Sequence, residues 1–224
     1  MSKNETYDEF VNKFKPKLTT DDCYTPPKIY AVVLEWVKKY YGVNERIIRP
    51  FNPNDDYKKY DYSNGVVVDN PPFSILAKII DYYLDNDVKF FLFAPGSTCF
   101  NYLAKNRKVC ILPINVNIKY ENGANINTSF VTNLENNAVN VNAELYKLIN
   151  DFNEIVPRRK IKHSCDYICI GNCNKLVKRG VDFKIKSFKE FVRKKDNYKI
   201  FGGGVLLHEY DREKFKNILD DLND

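Results

Sequence analysis

Two short apolar runs, VVV at 66–68 and FFLFA at 90–94, frame a stretch from Phe73 to Leu84 whose apolar positions recur at helical spacing. Strand, helix and strand in that spacing make a βαβ unit, because parallel neighbours need a crossover long enough to hold a helix. A parallel sheet with covering helices follows, so the chain is expected to be α/β. RIIRPF at 46–51 reads as another short strand. Pro27 to Tyr41 reads as a helix that opens on a first-turn proline and ends at Gly42. Ile29, Val32, Val33, Trp36, Val37 and Tyr40 fall on one stripe of it.

From 108 onward the pattern changes. VCILPINVNIKY, a turn at ENGA and INTSFVTNL read as paired strands. Residues 139–155 read as helix, CDYICIG at 165–171 as a strand and SFKEFVRKK at 187–195 as a short helix, with a last helix from about Asp211. Residues 5–14 read as a short amphipathic helix. With 224 residues and 44% hydrophobic content, the chain can bury one sizeable core. No repeat and no Gly/Ser or Pro-rich linker divides it, so one compact unit is expected.

The opening MSKNETYDEF is polar and acidic and the apolar runs are short, which points to a cytoplasmic protein with no membrane partner. On that basis the six cysteines are expected to be reduced, with Cys23, Cys99 and Cys110 as buried thiols. The net charge of +6 is regional: residues 157–200 carry fourteen Lys or Arg against four Asp or Glu, and the rest of the chain is net acidic. Such a run is either a solvated face or a grip on a polyanion.

The sharpest motif is VVVDNPPFS at 66–74. In open α/β sheets, ligands gather at the carboxyl ends of strands. Two successive prolines fix φ and remove two backbone donors, leaving rigid carbonyls. An exocyclic amino group has two N–H donors; the Asn70 side-chain oxygen and the Pro71 carbonyl can accept both, while Phe73 offers a face to a planar base. Asn70, Pro71, Pro72 and Phe73 are the expected catalytic residues.

NPPF after an apolar strand resembles the catalytic tetrapeptide of amino-methylating nucleic-acid methyltransferases. YTPPKIYAVVLEWV at 24–37, the block VVVDNPPFSILAKIIDYYL with KFFLFAP, and YENGANINTSFVTNL at 120–134 extend the likeness to adenine-specific DNA methyltransferases of the EcoRI type, over roughly residues 20–135. The resemblance implies a Rossmann-like mixed sheet of the S-adenosylmethionine-dependent methyltransferase type with a basic C-terminal extension. It divides the chain into a catalytic core at 1–156 and a basic part at 157–224, packed on the same core. It also implies S-adenosylmethionine as cofactor and double-stranded DNA as partner, with the target adenine flipped out to stack on Phe73. A monomer suffices for that chemistry. Cofactor contacts are then expected from Tyr24, Thr25, Pro26, Pro50, Phe51, Asn52, Asp55, Asp56 and Asp69. Phosphate contacts are expected from Arg158, Arg159, Lys160, Lys162, Lys178, Arg179, Arg193, Lys194 and Lys195.

The chain departs from the family in the cofactor half. Where the family carries Asp-Pro-Phe-x-Gly-x-Gly, this chain has Arg49-Pro50-Phe51-Asn52-Pro53-Asn54-Asp55-Asp56, without glycine, and Asn70 follows Phe51 by only 19 positions. A helix and two strands do not fit there. Either the binding half is pared down, with Asp55, Asp56 or Asp61 as the ribose acid, or cofactor binding is lost. Two rivals follow: a non-catalytic nucleic-acid-binding protein of the same fold, and a methyltransferase acting on RNA or on a protein amide.

The remaining motifs carry less. Phe201-Gly202-Gly203-Gly204 is expected to be a tight turn or a bulge between strands. His163, Cys165, Cys169 and Cys173 lack the paired spacing of a zinc site, and alternation puts Cys165 and Cys169 on one buried strand face; no metal is expected. His208 has no nucleophile beside it in sequence.

Overall fold

The computed structural model describes residues 24–52, 55–152, 167–195 and 198–220. Its main body is a seven-stranded mixed sheet. Helix α1 (Pro27–Tyr41) leads through Gly42, at φ 66°, into β1 (Arg46–Ile48). The helix begins without a side-chain cap, on a proline that needs none. β2 (Gly65–Asp69), α2 (Leu76–Asp85) and β3 (Lys89–Pro95) form the expected βαβ unit.

β4 (Cys110–Lys119) and β5 (Asn125–Thr132) follow as a hairpin, then β6 (Val139–Val141) and helix α3 (Ala143–Asn150). β7 (Tyr167–Cys169) runs into α4 (Ile170–Lys178), and β8 (Phe183–Ile185), β9 (Glu190–Lys195), β10 (Tyr198–Leu206) and α5 (Glu209–Asp220) complete the order. The large sheet runs β1-β2-β3-β5-β4-β6-β8; β7, β10 and β9 make a second, three-stranded sheet. β1, β2 and β3 are parallel, and β5 runs antiparallel to both β3 and β4.

Helices cover both faces of the sheet, as the alternation of β3 requires. Phe90 meets Tyr83 of α2 at 5.7 Å between ring centroids, while the next residue, Phe91, points the other way and meets Trp36 of α1 at 6.0 Å. β2 is buried along its whole length. A strand of continuous apolar residues is what a sheet covered on both faces needs. Gly65 opens β2 opposite Arg46 of β1; a Cβ there would lie 2.3 Å from the Ile48 Cδ1 and 3.1 Å from the Arg46 carbonyl. β8, from the basic part of the chain, pairs with β6 at the far edge of the large sheet.

Three expectations need correction. SFKEFVRKK is not helical: residues 190–195 are strand β9, held by antiparallel pairing with β10. Residues 139–155 hold strand β6 before a shorter helix, which starts where the Asn142 side chain accepts the Leu145 N–H at 2.8 Å. Among the described residues of CDYICIG, 167–169 is strand and α4 begins already at Ile170. The glycine run is a bulge within β10, where the register against β9 shifts between Lys199 and Gly204. Gly203 has φ 77° there, and a Cβ on it would lie 2.8 Å from the Phe191 ring. The helix expected at 5–14 lies outside the described residues.

Candidate functional site

The NPPF segment leaves the carboxyl end of β2, between the parallel neighbours β1 and β3. Pro71 is buried; Asn70, Pro72 and Phe73 are half-buried. Pro72, at φ −56° and ψ 118°, leads into a single turn of 3-10 helix (Phe73–Ile75) ahead of α2. The Phe73 ring leans on the hydrophobic core without being sealed in it. The two prolines thus hold a short rigid corner on the last residue of a fully buried strand.

That last strand residue, Asp69, is 3% exposed. Its carboxylate ties two segments together: Oδ1 accepts from Arg49 Nε at 3.1 Å and Nη2 at 3.0 Å, and Oδ2 accepts the Phe51 N–H at 3.4 Å. Burial pushes the Asp69 carboxyl above its ordinary range, and the Arg49 charge, with N–H groups of Asn70 and Phe51, pulls against that rise. The Arg49 guanidinium lies 3.8 Å from the Tyr30 ring centroid. The Tyr30 hydroxyl donates to the Val68 carbonyl at 2.9 Å, and burial pushes its pKa up to about 12. RPF and NPPF, distant in sequence, are thereby fastened side by side, with α1 leaning over the joint.

The TPP segment reaches the same end of the sheet. The Tyr24 carbonyl accepts the Glu121 N–H at 3.1 Å from the β4–β5 turn, and the Pro26 carbonyl accepts the Tyr30 N–H at 3.0 Å. Thr25 Oγ1 is buried with no hydrogen-bond partner among the described residues. A buried hydroxyl in that state can still take a hydrogen bond, from water or from a ligand.

The loop after β1 is held by its own side chains. Asn52 Nδ2 donates to Asp55 Oδ2 at 3.1 Å and to the Tyr60 hydroxyl at 3.3 Å, and the Tyr60 hydroxyl donates to the same carboxylate. Those bonds hold the Asp55 carboxyl below its ordinary value. Asp56 accepts the Lys58 N–H at 3.0 Å, and Asp61 accepts the Ser63 N–H at 2.9 Å and meets Arg46 at 3.5 Å. All three candidate ribose acids therefore have partners within the loop or on β1. No glycine falls in the loop, and β1 is an edge strand, so a second half of the sheet beyond it is absent among the described residues.

The residues present fit an amino-acid-bearing cofactor unevenly. Thr25 Oγ1 and the exposed side of Arg49 are polar groups that a charged amino-acid end could meet, while a glycine loop to cradle the nucleoside half has no counterpart among residues 49–61. Arg49 and Tyr30 were not among the residues singled out by motif.

The basic residues distribute over several elements. Lys178 and Arg179 are exposed at the end of α4, and Arg193 of β9 sits 5.8 Å from the Phe191 ring centroid. Lys194 and Lys195 pair through their backbones with Lys199 and Tyr198. Arg158, Arg159, Lys160 and Lys162 lie outside the described residues, as do His163, Cys165 and Cys23.

Cys99, Cys110, Cys169 and Cys173 are free thiols and buried. Burial pushes the Cys99 and Cys173 thiols up, which suits inert packing rather than nucleophilic attack. Among the described residues no group of three His, Cys, Asp or Glu side chains is placed to hold a metal ion. The His208 carbonyl accepts the Arg212 N–H at 2.9 Å, a backbone role at the start of α5. No described helix is long and apolar enough to cross a membrane.

Comparison of the chain with family models, with curated proteins and with solved structures returns no match. The α/β architecture with its mixed seven-stranded sheet is compatible with a Rossmann-like fold.

Proposed function

We propose that this chain transfers a methyl group from S-adenosylmethionine to the exocyclic amino group of adenine in double-stranded DNA. One observation carries the reading: Asn-Pro-Pro-Phe stands at the carboxyl end of a fully buried parallel strand, fastened through Asp69 to the segment that follows the neighbouring strand. Rigid acceptors beside a half-buried aromatic ring suit a planar base presented edge-on. The cofactor supplies an electrophilic methyl carbon on a sulfonium. Asn70 and the Pro71 carbonyl would hold the two amino hydrogens and so turn the nitrogen lone pair toward the methyl group that a bound cofactor would supply, with the surplus proton passing to solvent. Phe73 keeps the base ring fixed through that step. The work is positioning and hydrogen bonding.

A second reading draws on a different observation. Among the described residues the sheet ends at β1, and the candidate acids of the following loop are already bonded. A nucleic-acid-binding protein that keeps the fold without the cofactor has the same features. Calorimetric titration with S-adenosylmethionine, followed by transfer of a labelled methyl group to duplex DNA, separates the two. Heat of binding and label on adenine are expected. A chain that binds duplex DNA and shows neither heat nor label at millimolar cofactor is the binding protein. Label on RNA or on a protein amide reassigns the substrate.

A further inference from the structure

We infer that Arg49 holds the carboxylate of the cofactor's amino-acid end, an inference that rests on the methyltransferase reading. A guanidinium has five N–H donors in a planar fork. Arg49 commits Nε and Nη2 to one oxygen of Asp69, and Nη1 makes no hydrogen bond to the described residues. The side chain remains 52% exposed although its partner is 4% exposed, so one side of the fork is held inside the protein while the other is open. A guanidinium fixed by one carboxylate and laid on a tyrosine ring is pre-organised to receive a second carboxylate.

The surroundings favour a carboxylate over a larger anion. With Asp69 beside it, the local charge is balanced, which matches a zwitterionic amino-acid group better than a phosphate. Thr25 Oγ1, buried without a partner among the described residues, lies just ahead of α1 and next to Pro26, whose carbonyl accepts the N–H of the Tyr30 on which Arg49 rests. Asp69 acts here as a positioning residue, since it aims Arg49 and does not itself face a ligand. In this arrangement the arginine that replaces the family's acid also replaces part of what its glycine loop does.

The test compares S-adenosylmethionine with its decarboxylated analogue, which differs only in the group Arg49 is assigned. The wild type is expected to bind the analogue at least about tenfold more weakly, the size of one charge-assisted hydrogen bond. Arg49→Gln is expected to bind both at the level the wild type shows for the analogue. Because Arg49→Gln leaves a buried carboxylate unpaired, the pair Arg49→Gln with Asp69→Asn is measured beside it, with the same loss of discrimination expected. Equal affinity of the wild type for both compounds overturns the inference and leaves the methyltransferase reading standing. Equal weakening of both compounds in the variants, with discrimination intact, makes Arg49 a structural residue and also overturns it. Binding of neither compound by the wild type overturns both readings.

Discussion

The two ends of the large sheet use polar side chains in opposite ways. Where the parallel strands begin, Glu135 accepts from the Tyr41 hydroxyl at 2.6 Å, from Asn140 Nδ2 at 2.8 Å and from Asn137 Nδ2 at 2.8 Å. Lys184 Nζ donates to the Tyr40 hydroxyl at 2.7 Å beside them, and Asn133 bonds both the Phe90 N–H and the Val88 carbonyl. Donors and acceptors there largely answer one another; among the described residues the exceptions are Asn140 Oδ1 and the Nε1 of Trp36, whose ring stacks on Tyr40. Where the parallel strands end, Arg49 keeps donors and Thr25 a hydroxyl that no described residue engages. A closed network holds a fold together; an open one is available to something else.

The largest effect that would break this contrast is expected at the open end. Asn70→Ala should lower methyl transfer about 10²–10³-fold, the cost of losing one oriented partner of the reacting group, with little change in melting temperature. Retention of more than about a tenth of wild-type turnover would falsify the role given to Asn70. At the closed end the same kind of truncation should act on the fold alone. Glu135→Ala strands three donors and is expected to cost about 2–4 kcal/mol in urea unfolding, with cofactor affinity unchanged. Reduced affinity at undiminished stability would reverse the roles of the two ends.

A smaller effect comes from acid. Burial alone would raise the Glu135 carboxyl, but hydrogen bonds from Asn137, Tyr41 and Asn140, with the charge of Lys184, bring it below its usual value near 4.5. A carboxyl lowered in the folded state stabilises it fully above the ordinary value and loses that contribution as pH falls through the lowered one. The stability gap between wild type and Glu135→Gln should therefore be constant near neutrality and close below about pH 4.5. A gap that widens in acid contradicts the assignment.

The smallest effect is expected in the basic part. Replacing Arg158, Arg159 and Lys160 together by Ala should flatten the log–log salt dependence of duplex binding by roughly two to three units, with base discrimination better preserved than affinity. An unchanged slope makes that cluster a solvated face.

How much of this was legible in the chain depends on how local each cause is. α1 carries both its boundaries as residue types, Pro27 at the start and Gly42 in the left-handed conformation at the end, and the sequence reading matches the structure there. β3 is equally plain, since seven residues from Lys89 to Pro95 include one unbroken apolar run. β9 misleads because Phe188, Phe191 and Val192 sit at helical spacing, and only pairing with β10 makes 190–195 extended. α4 follows the same rule: the alternation of CDYICIG is local, and its end at Ile170 is not. In the candidate site NPPF stands out as a string of four residues. The Arg49–Asp69 pair could not, because it exists only once β1 and β2 lie side by side. Asp69 was singled out for a ligand, and the structure commits its carboxylate to Arg49 and the Phe51 N–H.

β1 is three residues long and has one neighbouring strand among the described residues, so its seat against β2 rests on a narrow margin. Gly65 provides that seat by having no side chain: a methyl group there would have to push past Ile48 Cδ1 and against the Arg46 carbonyl. Ile48 is joined by a single peptide bond to Arg49. A change of one methyl at the start of β2 would therefore act as a lever, with its fulcrum among apolar atoms and its far arm at the guanidinium. The aim of the open end is set by the room kept at Gly65, at the other end of the strand.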